Sequence, residues 1–134
     1  MPVWLDASDI IYFQQQCIDE HGGLRGGPKP GPLESTVARP RNLLNYNPEA
    51  TIFELAASYE YGLARNHCFP DGNKRISLVS IDVFLQLNGY QLTAVEADAV
   101  VAIRDLAAGE VSESELADWI ERHSEAFDID SAPD

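Results

Sequence analysis

The chain has 134 residues, the length of a single domain, and 45% of them are hydrophobic, an ordinary globular proportion. Nine Lys and Arg stand against 22 Asp and Glu, a formal net charge of −13. A surface so acidic repels phosphate backbones and anionic head groups, which argues against direct nucleic-acid or membrane binding.

The charge is uneven. Residues 1–92 carry 7 basic and 10 acidic groups (net −3), whereas residues 93–134 carry 2 and 12 (net −10). An anionic substrate is therefore expected in the first part, and the acidic last part favours a basic partner. Cys17 and Cys68 are too few for a disulfide framework and lack the paired spacing of a structural zinc site. No apolar run approaches the roughly 20 residues of a membrane span, and Met1-Pro2-Val3-Trp4 is no basic-then-apolar leader. A cytoplasmic protein is expected.

In chain order, Ile10, Ile11, Phe13, Cys17 and Ile18 form a helical stripe over Ser8–Glu20, stopped by His21-Gly22-Gly23. Gly22–Pro32 holds five glycines and three prolines in eleven residues and reads as an exposed loop. A short helix from Leu33 to Ala38 follows, with Pro40 marking its end. Asn47-Pro48 reads as a cap and first helical residue, and Ile52, Leu55, Ala56, Tyr59 and Leu63 carry a core helix to Asn66. A second central helix starts near Asn73, is apolar on several faces, and ends at Asn88-Gly89, which makes it the expected buried middle. Thr93 with Glu96 and Ser112 with Glu115 read as capping boxes of two further helices, the first ending at Gly109. No strand pattern stands out. The expected fold is all-α, about six helices around a central helical hairpin, with one domain over residues 1–127 and an acidic, frayed tail over 128–134.

Chemistry concentrates between the two central helices, at His67-Cys68-Phe69-Pro70-Asp71-Gly72-Asn73-Lys74-Arg75. His67 has the side chain suited to take a proton near neutral pH. Phe69 would anchor the loop in the core. Asp71 offers an oxygen ligand to a hard cation such as Mg²⁺. Gly72 permits a positive φ and close backbone approach, and Asn73 is a natural N-cap. Lys74 and Arg75 add two positive charges where the free N–H groups of a helix start already favour an anion. Cations there oppose the helix dipole unless an anion is present. Base, metal ligand and phosphate cradle together are the inventory for transferring a group from a nucleotide to a hydroxyl. Neither the P-loop nor the dinucleotide glycine pattern occurs.

This loop resembles the signature of the Fic/Doc family, and of its Doc (death-on-curing) branch of toxins from toxin–antitoxin modules, His-x-Phe-x-Asp/Asn-Ala/Gly-Asn-Lys-Arg. The match falls on His67, Phe69, Asp71, Gly72, Asn73, Lys74 and Arg75. Gly22-Gly23-Leu24, Pro30-Gly31, Leu87-Asn88-Gly89 and Gly109-Glu110-Val111-Ser112 are similar to Doc sequences as well. The resemblance implies that His67 is the general base, Asp71 the Mg²⁺ carboxylate, Gly72, Asn73, Lys74 and Arg75 the ATP-phosphate site, and Phe69 the loop anchor. In the AMP-transferring branch a glycine stands where this chain has Lys74. A long cationic side chain fills the space that the nucleotide's inner phosphates would use, so Lys74 implies transfer of the γ-phosphate rather than of AMP.

The family's substrate implication is a threonine of elongation factor Tu, whose phosphorylation arrests translation. The Gly22–Pro32 loop, with Gly26, Gly27, Lys29 and Gly31, would be the flap that clamps an extended target segment by backbone hydrogen bonds. Self-restrained Fic proteins carry Ser/Thr-x-x-x-Glu-Gly/Asn, a string absent from this chain, so the resemblance implies restraint by a separate, Phd-like antitoxin that folds into a groove of the toxin. An adenylyl transferase and a catalytically silent antitoxin-binding protein are the alternatives.

Overall fold

Asp6 opens the first helix by a reciprocal cap: its carboxylate accepts the Asp9 N–H at 3.1 Å while Asp9 accepts the Asp6 N–H at 2.9 Å. The computed structural model describes residues 2–24, 26–66 and 68–127. Six α-helices occur among them, α1 (Ala7–His21), α2 (Pro30–Tyr46), α3 (Ile52–Arg65), α4 (Asn73–Leu87), α5 (Glu96–Ala107) and α6 (Glu113–Arg122). The all-α expectation holds. Among the described residues no helix is long and apolar enough to cross a membrane. The expectations for residues 128–134 and for His67 lie outside the described residues.

The second helix corrects the reading most. It starts at Pro30 and continues past Pro40 to Tyr46, instead of spanning Leu33–Ala38. Pro30 sits at the first helical position, where its missing N–H costs no bond. Pro40 loses one intrahelical bond, but Leu33, Thr36 and Pro40 form the buried face of α2 against α3, and Leu43 and Leu44 continue it. Burial of that stripe outweighs one missing bond.

The start of α3 is also displaced. Thr51 and Glu54 form the capping box, each accepting the other's N–H at 3.1 Å. Asn47 instead terminates α2, its N–H bonded to Leu43 O at 2.7 Å. Ser112 caps α6 as expected. Thr93 does not cap α5, whose N-cap is Val95; its N–H and hydroxyl both donate to His123 O, at 2.6 and 3.0 Å. That contact belongs to a ribbon absent from the sequence reading: β1 (Tyr90–Leu92) pairs antiparallel with β2 (Ser124–Ala126), Tyr90 opposite Ala126. Three-residue strands show no alternation long enough to read.

The most enclosed helix is α3, not α4. Leu55–Glu60 and Gly62–Ala64 are all buried, with α2, α4 and α6 packed around them. Small residues let the neighbours close in: a Cβ on Gly62 would stand 2.8 Å from Thr36 Cγ2. On α4, Leu78, Val79 and Val83 are only partly buried. One apolar cluster runs from Leu5 to Ile120. The N-terminal segment is pinned to it by Tyr59, whose hydroxyl accepts the Leu5 N–H at 3.1 Å and donates to Leu5 O at 3.0 Å. Burial pushes that phenol up to about 12.

Candidate active site at the start of the fourth helix

The loop between α3 and α4 is drawn inward by Cys68 and Phe69, which are 0% and 2% exposed. Asn73 then holds it. The Asn73 Oδ1 accepts the Phe69 N–H at 3.0 Å and the Asn73 Nδ2 donates to Phe69 O at 2.9 Å. Asn73 is thus the first helical residue and a clamp on the loop, not the N-cap. The cap is Gly72, left-handed at φ 77°, a conformation glycine adopts without strain. Among the described residues no side chain caps α4, and no acidic residue lies in its first turn.

Lys74 and Arg75 lie exposed in that uncapped turn. Free N–H groups at a helix start and two neighbouring cations are arranged so that an anion would be favoured there. It opens on a cleft of about 500 Å³ lined by Gln14, His21, Gly23, Asp71, Lys74 and Arg75 among others. The field of Arg75 reaches the neighbouring helix: burial pushes the Cys17 thiol up, and the Arg75 guanidinium pulls it the other way.

Asp71 stands on the rim of the same cleft. Its Oδ1 accepts the Gly72 N–H at 2.8 Å and its Oδ2 accepts the Leu24 N–H at 3.1 Å. The carboxylate is exposed and held by backbone, and among the described residues each oxygen accepts one hydrogen bond, fewer than its two lone pairs allow. Among the described residues no three His, Cys, Asp or Glu side chains gather into a cage for a metal. One fixed carboxylate beside a cationic helix start fits Mg²⁺, which takes one or two carboxylates plus substrate phosphates and waters.

Residues 4–85, more than half of the chain, match the family described as Fic/DOC family. The chain belongs to the Fic/DOC family. The "Protein kinase doc" of Escherichia phage P1 is 34% identical over 120 residues, covering 88% of this chain and 93% of that protein. The "Toxin Doc" of Mycolicibacterium smegmatis is 41% identical over 66 residues, 48% of this chain and 50% of that one. Within the family the chain sits with the Doc toxins.

Against the family signature, the described residues bring Asp71, Gly72, Asn73, Lys74 and Arg75 to one cleft, bury Phe69, and turn the side-chain amide of Asn73 back on the loop. The segment read as the flap is shorter than expected, since Gly31 lies inside α2 and Lys29 is its N-cap. Pro30 at the first helical position is what lets the helix begin early. The remaining loop rests on the signature loop. The Lys29 N–H donates to Cys68 O at 2.8 Å, and a Cβ on Gly26 would meet Pro70 Cγ at 2.9 Å. Gly27 has open space around it.

The sequence reading missed Gln14, His21 and Gly23 as parts of the cleft wall. Gln14 is 4% exposed on α1, and its Nε2 reaches Gly26 O at 3.4 Å. His21-Gly22-Gly23, read as a helix stop, carried the signal: a polar residue at a helix end, followed by two glycines.

Proposed function

We propose that this chain is a toxin kinase that transfers the γ-phosphate of ATP to a threonine hydroxyl of elongation factor Tu and so arrests translation. The observation that carries the reading is the uncapped start of α4 with Lys74 and Arg75 exposed on the cleft that also holds Asp71. The kinase named among the relatives supports phosphoryl transfer. Asp71 would hold Mg²⁺, which when bound neutralises charge on the phosphates.

The α4 N–H groups with Lys74 and Arg75 bind and orient the phosphates. A lysine at position 74 leaves less room for the inner phosphates than a glycine would, which orients the outermost phosphate toward the acceptor. His67 accepts the proton of the threonine hydroxyl, whose oxygen bonds to the γ-phosphorus as the bond to the departing ADP oxygen breaks. The loop before α2 receives the target segment along its backbone, and the acting compartment is the cytoplasm. Restraint comes from a separate antitoxin, a reading that the toxin named among the relatives supports.

The test incubates the purified chain and elongation factor Tu with γ-labelled or α-labelled ATP, followed by mass spectrometry of the factor. Label from the γ position and a phosphate-sized mass on one threonine are expected. Label from the α position would establish adenylyl transfer instead, and no label in either arm would overturn the reading.

A further inference from the structure

Thr36, on the second turn of α2, is 0% exposed. Its hydroxyl donates to Pro32 O at 2.8 Å, one turn back along its own helix. A hydroxyl has one proton and two lone pairs, so with the proton committed its other contacts arrive at lone pairs. Asn66 Nδ2 donates to Thr36 Oγ1 at 3.0 Å, and Cys68 Sγ lies 3.5 Å from the same oxygen, which makes the thiol the donor. The hydrogen-bonding capacity of the hydroxyl is then full.

The two donors come from 30 and 32 positions away, and they are the residues on either side of position 67. A local back-bond alone is common for threonine in helices; two long-range bonds to the flanks of one residue are not required by any helix. Cys68 is tied to the α2 start a second time through the Lys29 N–H. Gly62 leaves the room in which the Thr36 methyl sits. Farther along the loop, Asn73 and Asp71 take over as the side-chain ties.

We propose that Thr36 is a positioning residue for the general base at position 67, its hydroxyl gathering the two flanking residues onto α2. The inference rests on the phosphoryl-transfer reading above. Thr36 lies outside the phosphate cleft, so it acts on the base and leaves ATP binding alone.

The test compares wild type, Thr36→Val and Thr36→Ser by γ-label incorporation into the protein of a bacterial extract, at varied ATP and pH. Circular dichroism checks that each variant is folded. Valine keeps the shape and removes all three bonds; it should lower the maximal rate by about tenfold to a hundredfold, the scale of a misaligned reacting group. The KM for ATP should stay within about twofold, and the acid limb of the rate–pH profile, which reports the base, should move. Serine should restore both. A folded Thr36→Val with a wild-type rate and profile overturns the inference, as does a Thr36→Ser as impaired as Thr36→Val. Where valine prevents folding, Cys68→Ala, which removes one donor and leaves Thr36 in place, is read by the same criteria. If wild type itself incorporates no label, the phosphoryl-transfer reading fails and this inference falls with it.

Discussion

Asn73 grips the backbone of Phe69 with both ends of its amide, accepting at 3.0 Å and donating at 2.9 Å. A buried aromatic on one side and a helix start on the other are thereby locked into one turn. Asn73→Ala removes both bonds and leaves the partly buried Phe69 N–H and C=O to find other partners. It should destabilise the fold by about 1–3 kcal/mol and lower phosphoryl transfer by about tenfold or more. Hydrogen exchange at the Phe69 amide checks the cause, since that amide should exchange faster in the variant while the core amides of α3 do not.

Gly23 and Asp71 form the second testable contact. Gly23 has φ +127°, and a Cβ there would lie 2.9 Å from Asp71 Oδ2. Gly23→Ala should strain the backbone by about 1–3 kcal/mol and push the carboxylate from its place. The Mg²⁺ concentration needed for half-maximal rate should rise, while Gly27→Ala, with nothing within 4 Å of its Cβ, should leave it unchanged. A Mg²⁺ titration of both variants decides the matter.

Glu60 is 1% exposed on α3, and its Oε2 has no hydrogen-bond partner among the described residues. Burial pushes its carboxyl well above the ordinary range. A carboxyl raised in the folded state binds its proton more tightly there than in the unfolded chain. Its contribution is full below the unfolded pKa and erodes as pH rises through that value toward the folded one. Glu60→Met should therefore raise stability at neutral pH by about 1–3 kcal/mol, the cost of an unpartnered buried polar group. The gain should shrink on acidification through the ordinary glutamate range. Urea unfolding of both chains across that range tests the sign.

Arg39 ties three helices. From α2 it donates to Ser58 O on α3 at 2.8 Å, pairs with Glu113 on α6 at 2.8 Å, and lies over the Tyr61 ring at 4.7 Å. Arg39 and Glu113 are each about one-third exposed, so the ion pair itself contributes about 0–1 kcal/mol. Lysine cannot make the forked contacts and the ring stacking together. Arg39→Lys should cost more stability than Glu113→Gln, and added salt should shrink the effect of the second more than that of the first. Thermal unfolding at low and high ionic strength compares them.

Much of the site was legible because its chemistry is contiguous in the chain. His67, Phe69, Asp71, Gly72, Asn73, Lys74 and Arg75 fall within nine positions, and residue type with spacing already pointed to the family. Helices were legible where periodicity met a clear end signal, as at the glycines that follow α1 and α4 and at the Ser112–Glu115 capping box of α6. The tertiary structure decided what depends on residues far apart. Packing against α3 carries α2 through Pro40, a strand ribbon pairs residues as far apart as Tyr90 and Ala126, and the amide of Asn73 turns back on Phe69 instead of capping a helix. Thr36 gives no sign in sequence of its bonds to Asn66 and Cys68. Local propensity and side-chain chemistry are written along the chain, but which buried hydroxyl meets which amide is settled only when the helices pack and water is excluded from between them.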